Sequence, residues 1–144
     1  MNLEESVYPR HDLDYTNPFL TVIKNAIILY GVDMMSTRRI ESYFGSFYVD
    51  IEFINDSHCK LTFKNQEEVI KALICNAVFS EKEFLKDEGK KPEELEKRWY
   101  ELNPYFELCF ERKLSARFAT NLDVREGDEQ NKKKFFYDYQ QGKT

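Results

Sequence analysis

Residues 49–63 read VDIEFINDSHCKLTF, and apolar side chains alternate with polar ones on both sides of a polar centre. Alternation with a period of two is typical of half-buried β-strands, so residues 49–54 and 59–63 are predicted to form two strands. The Asn-Asp-Ser sequence between them is typical of a turn. The segment therefore predicts a β-hairpin, and the neighbouring elements place that hairpin in a fold.

A helix is predicted on each side of the hairpin. After it, Asn65 can cap a helix, and the acidic side chains that follow suit the positive end of the helix dipole. Before it, Ser36 or Thr37 can cap a helix over residues 38–47, with Gly45 marking its end. Apolar residues recur at helical spacing in both segments: Ile40, Tyr43 and Phe44 in the first, and Val69, Ile70, Leu73, Ile74 and Ala77 in the second.

Two further strands complete the pattern. Residues 26–30 are apolar and aromatic and are followed by Gly31, which is typical of a buried strand. A last strand is predicted within residues 106–118, where residues 113–118 alternate best. The order βαββαβ predicts an α+β, ferredoxin-like fold of the RNA-recognition-motif kind, with a four-stranded antiparallel sheet and two helices on one face.

Polar segments flank and interrupt this domain. Residues 1–24 are polar and irregular and are predicted to be an N-terminal arm ahead of a domain over residues 25–120. A charged insertion is predicted at residues 80–104. Residues 121–144 are predicted to be a C-terminal extension rich in aromatic and basic side chains.

The composition limits the classes of protein that fit. Of 144 residues, 42% are hydrophobic, which is enough for one packed domain and excludes wholesale disorder. No apolar run is long enough to span a bilayer, and we expect no secretory signal. Three widely spaced cysteines favour a reducing compartment over a disulfide framework. The net charge of -5 argues against broad binding of duplex DNA.

The stacking platform of an RNA-recognition motif is only partly present. In such domains, bases stack on aromatic side chains of the central strands. Ile28 stands where the first-strand signature has an aromatic residue, and His58 and Lys60 take the two stacking positions of the third-strand signature. His58 can still stack on a base and Lys60 can contact a phosphate. Alternatively, both are polar residues on a solvated or covered sheet face.

A second constellation lies at the end of the strand that precedes the turn. A positively charged purine such as 7-methylguanine needs an aromatic face and a carboxylate or amide oxygen for its donor edge. Phe53, Asn55 and Asp56 offer both, and two more acidic residues precede them at Asp50 and Glu52. The alternative is that Phe53 belongs to the core and that Asn55 and Asp56 only form the turn.

Aromatic residues outside the predicted strands leave two possibilities open. Trp99 and Tyr100 are either packing residues of the insertion or a second wall for a stacked base. The basic run before the aromatic residues near the C-terminus is either a solvated turn or a lid that faces phosphates.

Sequence motifs for catalysis are lacking. No P-loop, GxSxG or HExxH motif occurs, and neither His11 nor His58 has a nucleophile signature beside it. No Cys/His cluster has the spacing of a metal site. We therefore expect a binding protein rather than an enzyme, without a metal or a cofactor.

Several short motifs, in the same order along the chain, resemble the nuclear cap-binding protein subunit 3 family. Residues 51–59 lie where that family has a Trp-Leu-Asp-Asp motif. The other segments that carry the resemblance are GVDMMST (31–37), SYF (42–44), KALI (71–74), LSARFAT (114–120) and FYDY (136–139).

The resemblance implies a nuclear protein with an RNA-recognition-motif-like fold that binds the 7-methylguanosine cap of mRNA, or capped RNA. Its implied partners are the large nuclear cap-binding subunit or other proteins of mRNA processing and export. The alternative is a pseudo-RNA-recognition motif that binds a protein partner and has no affinity for the cap.

The resemblance also implies site residues. The Trp-Leu-Asp-Asp motif falls on Phe53, Ile54, Asn55 and Asp56, so that Phe53 offers a smaller stacking surface than Trp and Asn55 an oxygen without a charge. Phe53 would stack on the base, and Asp56, helped by Asn55, would accept from its donor edge. The phosphates would be held by cations, and the candidates are Lys60, Arg117, Lys132, Lys133 and Lys134.

Overall fold

The chain folds into a five-stranded antiparallel sheet with two helices, an α+β architecture. The computed structural model describes residues 8–78, 96–107 and 110–125. In chain order the elements are β1 (Val22–Tyr30), α1 (Thr37–Tyr43), β2 (Asp50–Phe53), β3 (His58–Thr62), α2 (Gln66–Asn76), β4 (Tyr100–Glu107) and β5 (Phe110–Thr120). Within the described ranges, no helix has the length and apolar character needed to cross a membrane.

The strand order is β2-β3-β1-β5-β4, and every neighbouring pair is antiparallel. The hairpin of β2 and β3 therefore forms one edge of the sheet, and the hairpin of β4 and β5 forms the other. β1 joins the two hairpins, because it pairs with β3 on one side and with β5 on the other.

Side-chain caps start both helices. The Ser36 side chain accepts a hydrogen bond from the Arg39 N–H at the start of α1, and Asn65 accepts from the Glu68 N–H at the start of α2. These bonds satisfy backbone donors that have no partner within the helix. Ser36 is one of the two caps that the sequence allowed for α1, and Asn65 is the predicted cap of α2.

The main core lies between the sheet and the helices. Alternate residues of the strands and one side of each helix form a single buried cluster. Its members include Ile27, Leu29, Phe53, Leu61, Leu114 and Ala116 from strands and Ile40, Phe44, Val69 and Leu73 from the helical segments. We call this side the helix side of the sheet. A smaller cluster, Ala26, Ile28, Ile54 and Ala119, lies apart from it.

The elements predicted from the sequence are present, with differences in their limits. The four predicted strands contain Ile28, Ile51, Leu61 and Ala116, and the two helices contain Ile40 and Ile70. The first helix ends at Tyr43 instead of reaching residue 47. Ile70, one of the apolar residues at helical spacing in the second helix, is only partly buried.

The predicted number of strands is corrected by the structure: the prediction had four strands, and the sheet has five. β4 begins within the predicted insertion at residues 80–104 and carries Pro104. Proline has no backbone N–H, so it weakens a strand prediction, but an edge strand tolerates it. β4 lies at the edge, and its pairing with β5 shifts register between Leu102 and Tyr105. Residues 80–95 of the predicted insertion and residues 126–144 of the C-terminal extension lie outside the described residues.

Gly31 provides a test of the junction between β1 and β5. Its φ of +100° disfavours any L side chain, and a Cβ there would lie 2.2 Å from the Lys113 carbonyl oxygen. Gly31→Ala should therefore lower the free energy of unfolding by more than about 2 kcal/mol, measured by urea denaturation. Gly45→Ala is the control, since its Cβ would meet only the Ser42 oxygen at 3.4 Å. Equal stability of the two variants would contradict the assigned backbone.

Candidate nucleic-acid interface

The face of the sheet opposite the helices brings polar and aromatic side chains together. Ile28 is opposite Lys60 on β3 and Arg117 on β5, and Tyr30 is opposite His58. Residues that are directly opposite in an antiparallel pair point to the same face. Tyr30, His58, Lys60 and Arg117 therefore share this face, which we call the helix-free face.

Trp99 adds a third aromatic ring to the helix-free face. The centroids of Tyr30 and Trp99 are 6.1 Å apart, with the rings edge to face, and those of Tyr30 and His58 are 4.9 Å apart. The Arg117 guanidinium carbon lies 5.1 Å from the Trp99 centroid, within cation–π range. Trp99 thus lies beside this face, where a second wall for a stacked base would have to be. Tyr100, in contrast, is buried in the core of the helix side.

Residues 8–13, which we call the docked segment, lie across this cluster. The His11 ring stacks on the His58 ring, with centroids 4.2 Å apart and planes 20° from parallel. The His11 N–H donates to His58 Nε2 at 3.2 Å, and Trp99 Nε1 donates to the Asp12 carboxylate at 2.8 Å. The His58 ring, one of the three rings on which a ligand could stack, is therefore covered by the chain itself.

Further polar contacts hold Tyr8 and Arg10 of the docked segment. The Tyr30 hydroxyl donates to the Tyr8 carbonyl at 2.9 Å, and the Tyr8 N–H donates to the Ser57 hydroxyl at 3.3 Å. Arg10 forms an ion pair with Glu101 at 3.0 Å, and its guanidinium carbon lies 5.1 Å from the Trp99 centroid. Residues of β1, β3 and β4 and of the turn between β2 and β3 thus all contact the docked segment.

The hydrogen bonds of His58 define its protonation state. Nε2 accepts from the His11 N–H, so Nδ1 carries the proton and donates to the Asn55 side-chain oxygen at 2.9 Å. Burial, helped by the nearby His11 and Arg117, lowers the pKa of His58 to about 4. His58 is therefore a neutral ring at physiological pH, able to stack without a charge.

Arg117 is held by a buried ion pair. Its guanidinium donates to both oxygens of Asp123, at 2.8 and 2.6 Å, and only 1% of the residue is exposed. Burial opposes ionisation of Asp123, but the hydrogen bonds from Arg117 and Thr120 outweigh it and lower the pKa of this carboxyl. Arg117 Nε also donates to the His11 carbonyl at 3.4 Å. The ion pair thus fixes a cation beneath the docked segment.

A groove of about 440 Å³ lies beside the docked segment. It is lined by residues 10–13, by residues 122–125 and by Ile54. Ile54 belongs to the segment that falls on the Trp-Leu-Asp-Asp motif. The groove therefore borders the docked segment.

Apart from Phe53, the predicted site residues fall into three groups. His58, Lys60 and Arg117 lie together on the helix-free face, as described above. Asn55 is buried, and its side-chain oxygen accepts from the backbone N–H groups of Ser57 and His58, so it holds the turn. Asp56, in the same turn, is partly exposed. The remaining candidates, Lys132, Lys133 and Lys134, lie outside the described residues.

Phe53 requires a correction. It is opposite Cys59 in the β2–β3 pair, and both belong to the core of the helix side, where Phe53 is 4% exposed. The predicted stacking of a base on Phe53 is therefore wrong, and the alternative, a core residue beside a turn, describes it. Alternation along the hairpin places Phe53 and Ile51 on the same side, so the pattern already favoured this outcome.

Two components of the interface were missed by the sequence analysis. Tyr30 follows Ile28 by two residues, so strand alternation could have placed it on the same face. The docked segment has no such signal, because residues 8–13 are irregular and make their contacts with residues 22 to 106 positions away. Only the folded chain brings them together.

The comparisons with known proteins add no assignment. The sequence matches no protein-family model, no curated protein and no solved structure. Within the described part of the chain, no group of three or more His, Cys, Asp or Glu residues could hold a metal ion. The site is thus defined by its geometry: an aromatic and basic sheet face, covered by a segment of the same chain.

Replacing Phe53 tests its place in the core. Phe53→Ala should lower the free energy of unfolding by about 3–5 kcal/mol, because it removes a buried ring and leaves a cavity. Tyr48→Ala, at a site that is 78% exposed, is the control and should change stability by less than about 1 kcal/mol. Urea denaturation measures both. A loss below about 1 kcal/mol for Phe53→Ala would contradict the assigned packing.

We expect the folded protein to lose stability in mild acid, because His58 becomes protonated. The unfolded chain takes up a proton near pH 6.5, whereas the folded chain does so only near pH 4, since its pKa is about 4. The stabilisation is therefore complete above about pH 6.5 and is lost progressively down to about pH 4, by up to about 3 kcal/mol.

Urea denaturation at pH 7.0, 5.5 and 4.5 measures this effect. His58→Gln should flatten the dependence, because glutamine does not titrate in this range. A wild-type profile that is as flat as that of the variant would show that the ring is solvated in the folded state.

Proposed function

We propose that this chain is an RNA-recognition-motif-like domain that binds RNA, in particular the 7-methylguanosine-capped 5′ end of mRNA, through its helix-free face. Strand order supports the fold assignment. β2-β3-β1-β5 is an antiparallel array in which a helix follows β1 and another follows β3, as in the ferredoxin-like order, and β4 adds an edge strand. The family resemblance supports a nuclear role in mRNA processing or export.

The observation that carries this proposal is the cluster of Tyr30, His58 and Trp99 beside two cations on one sheet face. Aromatic rings bind unpaired bases by stacking, and cations bind the phosphates that connect them. Of these two cations, Arg117 is held in a buried ion pair, and Lys60 lies outside that pair. The cluster replaces the role that was predicted for Phe53, and it uses rings from β1, β3 and the segment before β4.

Cap recognition on this face depends on a ring that attracts the positively charged base. Trp has the strongest cation–π attraction of the aromatic residues. A capped RNA should therefore bind more tightly than the same RNA without the cap, by about 2- to 30-fold, which corresponds to roughly 0.5–2 kcal/mol. Binding of both RNAs should weaken as the salt concentration rises, because phosphate contacts release counterions.

A protein-binding role is the second candidate, and the docked segment favours it. That segment covers His58 and Arg117, which are each 1% exposed. A sheet face closed in this way suits a pseudo-RNA-recognition motif that binds a protein through other surfaces. The resemblance points to the large nuclear cap-binding subunit or another protein of mRNA processing and export as the partner.

A titration of the full chain with labelled RNA separates the two candidates. Fluorescence anisotropy is measured with a short single-stranded RNA that carries a 7-methylguanosine cap, and with the same RNA uncapped. Lys60→Ala should weaken binding of both RNAs alike and reduce the salt dependence by about one phosphate contact. Lys71→Ala is the control, since it removes the same charge from an exposed site on α2.

Each outcome assigns a function. Tighter binding of capped RNA that is sensitive to Lys60→Ala supports cap binding on this face. Equal affinity for both RNAs removes the cap preference and leaves RNA binding. No binding of either RNA, by the wild-type protein or by a His11→Ala/Asp12→Ala variant that lacks the ring stack on His58 and the hydrogen bond to Trp99, favours the protein-binding role.

A further inference from the structure

The docked segment makes the kinds of contact that a bound nucleotide would make. The His11 ring lies flat on His58, at the distance and angle at which a base stacks. The Asp12 carboxylate, an anion, accepts from the Trp99 indole N–H. The His11 carbonyl accepts from Arg117. The docked segment therefore places a ring, a carboxylate oxygen and a carbonyl oxygen on this surface.

The same segment buries little surface compared with the sheet beneath it, since residues 8–10 and 12 are exposed and residues 11 and 13 are only partly buried. Its ion pair, between Arg10 and Glu101, joins two solvent-exposed side chains and contributes little to stability. Asp12 is exposed, and residues 10–13 line a groove together with residues 122–125. Segments with few buried apolar contacts open at a lower free-energy cost than the core.

We propose that residues 8–13 are an autoinhibitory segment that occupies the RNA-binding surface and that an unpaired base of single-stranded RNA displaces. This inference rests on the proposed function, because it regulates the same site. In the closed form the His11 ring takes the place of the base on His58. In the open form the three rings and Arg117 become accessible to the RNA.

Competition lowers the apparent affinity of the wild-type protein. RNA binds only the open form, so the apparent dissociation constant is the intrinsic one divided by the open fraction. Changes that weaken the docked segment should therefore tighten RNA binding, although they remove no residue of the sheet face. Loss of a contact that stabilised the fold would have no such effect.

The test weakens the docked segment and measures RNA affinity. In the double variant His11→Ala/Asp12→Ala, the ring stack and the hydrogen bond to Trp99 are lost. The apparent affinity for a short uncapped single-stranded RNA should rise by about tenfold in fluorescence anisotropy, which corresponds to about 1.4 kcal/mol of docking free energy. Asp12→Ala alone is a milder variant and should give a smaller rise.

A control at a distant site excludes an effect of net charge alone. Glu41→Ala on α1 removes one negative charge, as Asp12→Ala does, but α1 packs against the helix side of the sheet. It should leave the affinity for RNA within about twofold, because a distant surface charge is largely screened at physiological salt.

Trp99 reports the position of the segment directly. The chain has 1 Trp, so its fluorescence arises at this site alone. The emission of the wild-type protein should shift on RNA addition toward that of the double variant, since both lose the hydrogen bond from Trp99 to Asp12. This readout also shows whether a variant is folded with an open face.

The results distinguish the two proposals. If the wild-type protein binds RNA and the variants bind it no more tightly while Trp99 reports an open face, the segment is not autoinhibitory and the RNA-binding proposal stands. If neither the wild-type protein nor the open variants bind RNA, the proposed function itself fails. Tighter binding by Asp12→Ala but not by Glu41→Ala supports both.

Discussion

The pairing of β1 with two strands at once is the constraint on which the rest of the structure depends. Its backbone is hydrogen-bonded to β3 on one side and β5 on the other, and residues 26–29 are almost completely buried. A strand in this position presents apolar side chains to both faces of the sheet, so both faces must be covered. The helices cover one face, and on the other side the chain's own N-terminal residues lie over the rings and the arginine.

Covering the helix-free face requires polar groups to be satisfied away from water. His58 is kept neutral, with one ring nitrogen donating to Asn55 and the other accepting from the backbone of His11. The Arg117 guanidinium donates two hydrogen bonds to Asp123, whose carboxylate balances its charge. An unpaired charge at either position would cost several kcal/mol, so these partners are part of the reason that the docked segment can lie there. The same groups would be exposed to a ligand once the segment is displaced.

Local sequence signals were sufficient for most of the secondary structure. The period-two alternation of residues 49–63 predicted β2 and β3, and side-chain caps at Ser36 and Asn65 predicted the starts of both helices. β4 was not predicted, because Pro104 and neighbouring charges break the alternation that identifies a strand. An edge strand tolerates both features, since one side of its backbone is not paired. Its existence depends on pairing with β5, which is a tertiary contact.

The sequence by itself determined the α+β class, the β2–β3 hairpin with its turn, and the residues that could carry a stacking or phosphate-binding role. The tertiary structure decided which of them share a surface. It placed Phe53 in the core and brought His58, Lys60 and Arg117 together with Tyr30 and Trp99. It also placed residues 8–13 over that surface. The physical reason is that alternation and caps are local properties of the chain, whereas a binding surface and its cover arise from contacts between residues 22 to 106 positions apart.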